Sequence, residues 1–299
     1  MVSGTPGGGI GLFERVRTGW TLTTDSAGVI RENPELLIFP LIAAVASAGF
    51  FVVFLIPMLV ANLVGSGFEY VALFVWYFVT TFLSTYAAAA LVHATNETFH
   101  GRNPSVRASL SAVWGRLGPI VAWSLISATV SVLIKVLEDS DNPVADLLGT
   151  LFAVGWSVTT FFVVPVLVFE EVTVTSMFSR SAATFRDTWG ETLGAGFGVT
   201  LVVGLFGIGL VVVALAVSLP LAAVFPAAGG LLAVVLVAVA LAATYLLSQT
   251  IWGVAKTALY VYAAEGEVPS QFENFDLETL GGRAARTASP GSAGPRDAL

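Results

Sequence analysis

Long apolar stretches that contain no charged side chain divide the sequence. Asp, Glu, Lys and Arg are absent from five of them, which cover residues 36–68, 70–96, 117–134, 147–169 and 192–255. A helix needs about 20 apolar residues to cross a hydrocarbon core of about 30 Å. Each of the first four stretches therefore predicts one spanning helix. The third reaches full length if Lys135 extends its ammonium to the lipid headgroups.

The fifth stretch is long enough for two spanning helices. It contains Pro220, Pro226, Gly229 and Gly230, which suit a tight turn between helices. Apolar residues occur at every position of 201–217 rather than at every second one, which excludes strands of a membrane barrel. The predicted fold is an all-α transmembrane helical bundle. Its six spans are expected at about 37–63, 70–93, 119–137, 147–168, 195–220 and 229–253.

The composition agrees with this pattern and excludes other classes of protein. Of the 299 residues, 56% are hydrophobic and 11% are charged, and the mean hydropathy is +0.86. A soluble domain carries about 25% charged residues, so a soluble enzyme, a nucleic-acid-binding protein and a disordered chain are excluded. Cysteine is absent, which excludes disulfides, thiolate nucleophiles and thiolate metal sites.

The basic residues predict the orientation. Six spans place both termini on one side of the membrane, and that side carries every Lys and Arg except Lys135. Loops rich in Lys and Arg stay in the cytoplasm, so both termini are predicted to be cytoplasmic. The preference for Arg over Lys and the pI near 4.8 are typical of some prokaryotes. The expected location is therefore a prokaryotic cell membrane.

The two ends of the chain differ from the rest. Residues 282–299 are rich in Gly, Ala, Ser and Pro and show no periodicity, and residues 1–9 have the same character. Both ends are predicted to be disordered. Residues 10–281 are predicted to form a single membrane domain.

Each cytoplasmic segment resembles an amphipathic helix that precedes a pair of spans. Trp114 and Trp189 align when the chain is shifted by 75 residues, and Arg107 and Arg186 lie beside the apolar stripes. Trp20 takes the same place in the N-terminal segment. Trp at the membrane boundary with Arg on the wet face is typical of interfacial helices. We therefore predict a unit of one interfacial helix and two spans that is used three times.

Several motifs in the sequence are distinctive. They are residues 101–107, 112–117, 120–123, 155–165, 179–190 and 258–266. Together they resemble an uncharacterised prokaryotic family of polytopic membrane proteins that is known only as a domain of unknown function. The resemblance covers roughly residues 12–280, and it implies six spans but no activity. The layout is also similar to the membrane regions joined to some glycerophosphodiester phosphodiesterases, whose catalytic barrel has no counterpart in this sequence.

Hydroxyl groups cluster in three of the predicted spans. Such hydroxyls more often bond the carbonyl one turn back or a neighbouring helix than a solute. The alternative is a hydroxyl-lined path between spans two to four. The clusters are Thr80, Thr81, Ser84 and Thr85 in span two, Ser124, Ser127, Thr129 and Ser131 in span three, and Ser157, Thr159 and Thr160 in span four.

Lys256 continues the long apolar run of the last span. It either extends its ammonium to the cytoplasmic boundary or pairs inside the bundle with Glu170 or Glu171. An ionisable residue at membrane depth is a functional candidate by default. The position of Lys256, about one span past Gly230, favours the boundary. Glu170, which closes span four, is interpreted as a charged helix end.

The sequence contains no convincing catalytic constellation. A metal site needs three or four ligands. His93, Glu97 and His100 make a weak case for one, because the sequence offers no second cluster of ligands to complete it. We therefore predict no catalytic residue, no metal site, no cofactor and no enzymatic activity.

Two functions fit what remains. The favoured one is a non-enzymatic membrane scaffold or organiser that acts through its interfacial helices. The alternative is a transporter or channel for a small or lipid-like solute. The lipid bilayer is the predicted partner, a second copy of the chain or other membrane proteins are further candidates, and nucleic acid is excluded.

Overall fold

The computed structural model describes residues 12–60, 69–139, 143–189, 194–266 and 269–272, and no β-strand occurs in these ranges. The predicted all-α class is therefore confirmed. Short 3-10 turns follow α1 and α10, at Pro34–Leu37 and Ser270–Phe272. The helices are α1 Leu12–Glu32, α2 Ile38–Val60, α3 Glu69–Phe99, α4 Val106–Trp114, α5 Leu117–Glu138, α6 Pro143–Thr159, α7 Val163–Phe169, α8 Val174–Trp189, α9 Gly194–Val224 and α10 Pro226–Glu265.

Six segments of the described chain are long and apolar enough to cross a membrane. Each overlaps one predicted span, which confirms the number of spans and indicates a multi-pass membrane protein. Gaps between charges locate the spans because a charged side chain is costly at hydrocarbon depth. The last span extends past Lys256 instead of ending near residue 253. The segments are Pro34–Met58, Tyr70–Phe99, Leu117–Glu138, Val144–Phe169, Val199–Val224 and Pro226–Ala264.

The order of the helices repeats three times. The more polar, amphipathic helices α1, α4 and α8 each precede a pair of spanning segments. α1 packs against α9 and α10, α4 packs against α3, and α8 packs against α6 and α7. The predicted unit of one amphipathic helix and two spans is therefore present in the element order.

The buried core lies at the end of the bundle where the amphipathic helices pack. Its largest fully buried side chains include Leu22, Leu36, Phe39, Ile120, Phe162, Leu167, Met177, Leu259 and Phe272. Large apolar side chains are instead exposed toward the other end of the spans, among them Val53, Leu219 and Leu231. Lipid tails are the solvent that fits an apolar surface of this extent.

α9 and α10 form a tight helical hairpin. Phe225 is the single residue between them, and Pro226 occupies the first turn of α10, where its fixed φ suits a helix. A Cβ added at Gly229 would overlap the backbone of α9, so glycine permits this close approach. The turn is therefore where the sequence predicts it. Pro220, Gly229 and Gly230 are nevertheless part of helices rather than of the turn, which corrects that detail.

Span four is broken near its middle. α6 ends at Thr159 and α7 begins at Val163, with Pro165 in the first turn of α7. Proline has no N–H to donate and its ring clashes with the carbonyl four residues back, so a continuous helix is disfavoured here. The freed amide of Phe162 donates instead to the Ser181 hydroxyl of α8, at 3.1 Å. The predicted span at about 147–168 is therefore present, but two helices form it rather than one.

The chain after α10 folds back onto the bundle. Gly266 ends α10 with a φ of 73°, a left-handed conformation that favours glycine. Phe272 is then fully buried, and its ring lies edge-on to Phe99 with centroids 5.9 Å apart. The predicted disordered ends, 1–9 and 282–299, lie outside the described residues.

Candidate functional site

A cavity of about 410 Å³ lies between spans one, two, four and six. Its walls come from the start of α2, the middle of α3, the break between α6 and α7, and the second half of α10. Small apolar residues such as Ala43 and Ala88 leave the space open. The polar and aromatic side chains that line it are Thr80, Thr81, Ser84, Thr85, Trp123, Thr160, Phe161, Tyr245, Gln249, Trp252 and Lys256.

Some of the lining hydroxyls are already used by the protein. The Thr80 and Thr160 hydroxyls each donate to the carbonyl four residues back, both at 2.7 Å. Thr85 accepts a hydrogen bond from the Trp123 indole at 3.1 Å, which joins span two to span three. The donors of Thr80 and Thr160 are therefore satisfied within their own helices, and Thr85 joins two spans as an acceptor.

Other polar side chains of the cavity wall have no such bond within the described part of the chain. Thr81, Ser84 and Gln249 line the cavity and have no hydrogen-bond partner among the described residues. Ser84 is exposed although it lies midway along a spanning helix. A polar group at this depth is costly unless it meets a partner, so water or a ligand in the cavity is the natural partner for these groups.

The Lys256 ammonium lies inside the cavity against two aromatic rings. Its Nζ is 4.6 Å from the centroid of the Phe161 ring and 5.7 Å from that of Trp252. Within the described ranges it forms neither an ion pair nor a hydrogen bond. The predicted alternative of an ion pair with Glu170 or Glu171 is therefore wrong, whereas its placement at the membrane boundary stays a prediction.

Glu170 is held by partners other than Lys256. Its carboxylate accepts hydrogen bonds from the Tyr260 hydroxyl of α10 and from Arg180 of α8, the latter at 2.9 Å. Its backbone carbonyl accepts a longer one from Arg116, at 3.3 Å. Glu170 follows α7 directly, so it ties the second half of span four to α8 and α10. Its role is to hold the wall of the cavity.

The predicted hydroxyl-lined path is only partly where the sequence places it. All four hydroxyls of span two line the cavity, but span four contributes only Thr160, and span three contributes Trp123 and no hydroxyl. Ser124 is fully buried and donates to a carbonyl of its own helix. Spans one and six supply the remaining walls, which the sequence interpretation missed. Pro165 and Lys256 were the available signals for this site.

The predicted interfacial residues lie away from the cavity. Trp114 is 67% exposed at the end of α4, and Arg107 is exposed on the same helix. Arg186 is exposed on α8. Trp189 is the last residue of α8, and its side chain lies outside the described part of the chain. The side chains of Trp114, Arg107 and Arg186 therefore belong to the surface of the amphipathic helices and not to the cavity.

The residues considered for a metal site serve other contacts. Glu97 forms an ion pair with Arg102 at 2.6 Å, and His93 is 3.3 Å from the Ser109 hydroxyl. Among the described residues, no three His, Cys, Asp or Glu side chains are grouped closely enough to hold a metal ion.

A family of unknown function (DUF6159) matches residues 67–270. The chain belongs to this family. The match is shorter than the 12–280 covered by the sequence resemblance, but it includes every lining residue of the cavity except Pro40 and Ala43. No curated protein and no solved structure matches the chain significantly. The family description gives no activity, and the cavity is the feature of the chain that points to a function.

Proposed function

We propose that the chain is a non-enzymatic carrier or channel for a small solute, and that the cavity is its binding site. The observation that carries the proposal is a cavity of about 410 Å³ that reaches free polar groups in the middle of spanning helices. Sites for small molecules are typically about 300–1,000 Å³, mostly apolar, with a few polar groups that fix orientation. This reverses the order of the two functions favoured by the sequence.

The broken fourth span also supports a solute site. Non-helical backbone at membrane depth is tolerated where it is buried in protein or lines a cavity. The break over residues 160–162 meets both conditions, because Ser181 satisfies the Phe162 amide while Thr160 and Phe161 face the cavity. Broken spanning helices are a recurring feature of binding sites in transporters.

The distribution of basic residues supports a location and an orientation for the protein. The chain is proposed to lie in a prokaryotic cell membrane with both termini in the cytoplasm, since the terminal side carries nearly all of the basic residues. The cavity then lies toward the cytoplasmic end of the bundle, where α1, α4 and α8 pack. The lipid bilayer is the proposed partner, and no cofactor is required for this role.

A scaffold remains the second candidate, and its support is the surface of the amphipathic helices. Trp20 and Trp114 are 59% and 67% exposed, and Arg107 is exposed beside Trp114. Exposed Trp and Arg of this kind anchor a helix in the membrane interface. Such anchors suit a carrier equally well, whereas a scaffold gives no reason for a polar cavity.

The absence of cysteine from the sequence makes the cavity directly testable. Ser84→Cys places one thiol in the cavity wall of the full-length chain, which is then reconstituted in phosphatidylcholine vesicles. The reagent is a small, membrane-impermeant methanethiosulfonate. We expect Ser84→Cys to be modified, because an aqueous cavity exposes and ionises the thiol.

A matched control keeps this test decisive. Ser124→Cys changes the same residue type in another span, where the side chain is fully buried and does not line the cavity. It is expected to react far more slowly. The proposal is contradicted if Ser84→Cys reacts no faster than Ser124→Cys in protein that elutes as a folded species.

A further inference from the structure

The charge of the cavity wall is unusual for a membrane protein. Lys256 is the one charged residue among the described residues that line the cavity. The carboxylate of Glu170, which follows the α7 wall of the cavity, is bound by Arg180 and Tyr260. Lys256 therefore has no opposing carboxylate among the lining residues that the structure describes.

The Lys256 ammonium has contacts on only part of its surface. Phe161 and Trp252 offer it the negative faces of their rings, which attract a cation. Ring faces do not accept its N–H bonds as an oxygen atom would, and a lysine ammonium has three such donors. A half-buried charge inside a membrane bundle is stabilised by an opposite charge and by hydrogen bonds. A ligand that brings a negatively charged oxygen would complete this site.

The number of basic side chains in the cavity limits the negative charge of a ligand that the cavity can balance. Sites for phosphate groups and other polyanions use several basic side chains or an arginine fork, and this cavity offers one lysine. The free side chains of Thr81, Ser84 and Gln249 add neutral hydrogen-bonding groups. Leu91, Val92 and other apolar lining residues suit a hydrocarbon body. One charge, a few neutral polar groups and an apolar wall together describe an amphipathic monoanion.

We propose that the ligand of the cavity is an organic monoanion with an apolar body, and that Lys256 binds its charged group. This inference rests on the proposed solute cavity and adds the substrate class to it. A carboxylate or sulfonate solute has this chemistry, and so does the phosphodiester of an anionic lipid. No covalent step is involved, and Lys256 acts as a binding residue.

The first experiment measures the charge preference of the cavity with two probes. The Ser84→Cys chain in phosphatidylcholine vesicles reacts with sulfonatoethyl methanethiosulfonate, which is anionic, or trimethylammonioethyl methanethiosulfonate, which is cationic. Each rate is divided by the rate of the same reagent with free 2-mercaptoethanol. We expect a normalised preference of about tenfold for the anionic reagent, since opposite charges attract strongly at an effective dielectric constant near 20.

Substitutions of the two lysines identify the source of the preference. Lys256→Met in the Ser84→Cys background should abolish it, whereas Lys256→Arg should retain it because the charge is kept. Lys135→Met is the matched control, since Lys135 is the only other lysine and is paired with Asp139 at 2.6 Å outside the cavity. It should leave the preference unchanged.

Competition then tests the ligand class. Hexanesulfonate and hexyltrimethylammonium share an apolar body and carry permanent opposite charges. Hexanesulfonate should slow the modification of Ser84→Cys, and hexyltrimethylammonium should not. Vesicles that also contain phosphatidylglycerol separate a lipid from a free solute. Slower modification by both reagents, without added hexanesulfonate, identifies the lipid as an occupant, because the anionic surface by itself slows only the anionic reagent. Modification by the cationic reagent that is not slowed identifies a solute site.

The outcomes separate this inference from the function on which it rests. If both reagents modify Ser84→Cys without an anionic preference, or if the preference survives Lys256→Met, the monoanion inference is overturned while the solute cavity stands. If neither reagent modifies Ser84→Cys, both proposals are overturned. An anionic preference that is lost in Lys256→Met and kept in Lys256→Arg and Lys135→Met supports both.

Discussion

The Lys256 ammonium lies 4.6 Å from the centroid of the Phe161 ring. Both residues line the cavity, and Phe161 lies where span four is broken. This contact joins α10 to the non-helical segment between α6 and α7. An attraction between a cation and a ring contributes up to about 2 kcal/mol when both are shielded from water. The same contact therefore holds the broken segment and positions the charge of the cavity.

A double-mutant cycle measures this contact. Phe161→Leu and Lys256→Met, alone and combined, are compared by thermal or denaturant unfolding in one detergent. We expect a coupling of about 0.5–2 kcal/mol, because each single change removes the same attraction. Additive effects of the two changes would show that the ring does not bind the ammonium.

The two partners of the Glu170 carboxylate are expected to contribute unequally to the stability of the fold. The Tyr260 hydroxyl lies in a buried side chain, so Tyr260→Phe should destabilise by about 1.5–3 kcal/mol, the usual value for a hydrogen bond to a charged group. Arg180 has 55% of its side chain exposed, so Arg180→Gln should cost about 1 kcal/mol or less. Unfolding midpoints of the two variants check the order, and an equal or reversed order contradicts this assignment.

The Ser181 hydroxyl is predicted to stabilise the break in span four. Ser181→Ala leaves the buried amide of Phe162 without its acceptor, which should cost about 1–3 kcal/mol. Ser179→Ala, in the same helix, removes an exposed hydroxyl bonded to a neighbouring carbonyl, and its cost should be within about 0.5 kcal/mol. Thermal unfolding in detergent gives both values. Equal stability of the two variants would show that the amide has another partner.

The stability of the fold is expected to depend on pH through the carboxyl group of Asp25 in α1. Burial raises the pKa of its carboxyl above the ordinary value of 3.8, and its Oδ2 has no hydrogen-bond partner among the described residues. A raised pKa in the folded state means that the fold loses stability as the pH rises from about 3.8 through the folded pKa, and that the loss remains at higher pH. Asp25→Asn should therefore raise the Tm at pH 7 more than at pH 4.

The control for this effect lies on the same helix. Glu32 is exposed at the end of α1, and Glu32→Gln should change the Tm little and equally at both pH values. A Tm difference for Asp25→Asn that is the same at pH 4 and pH 7 would contradict the burial of an ionised Asp25.

The number and place of the spans could be predicted from the sequence because the signal is local. A charge inside a span is costly whatever surrounds it, so the gaps between Glu35, Glu69 and Glu97 mark helices in any packing. The α9–α10 hairpin was predictable for the same reason, since Pro226 limits the backbone by its own ring.

The candidate site could be predicted only in part because it depends on neighbours distant in sequence. The hydroxyls of span two were recognised, but which face of a helix meets a cavity follows from the packing of all six spans, and Ser124 lies on the wrong face. The break near Phe162 needs Ser181, nineteen residues away, to satisfy its amide. The surroundings of Lys256 come from α10 itself and from the non-helical segment between α6 and α7, so no local pattern reveals them.

Uptake of labelled hexanesulfonate into vesicles measures whether the protein carries an organic monoanion across the membrane. The experiment compares phosphatidylcholine vesicles that contain equal amounts of the unmodified chain, of Lys256→Met or of Lys135→Met. Vesicles without protein give the background rate. We expect uptake above the protein-free rate for the unmodified chain and for Lys135→Met, and no such uptake for Lys256→Met. Uptake by the unmodified chain at the protein-free rate would contradict transport of an organic monoanion. Equal uptake by the unmodified chain and by Lys256→Met would contradict the binding role of Lys256.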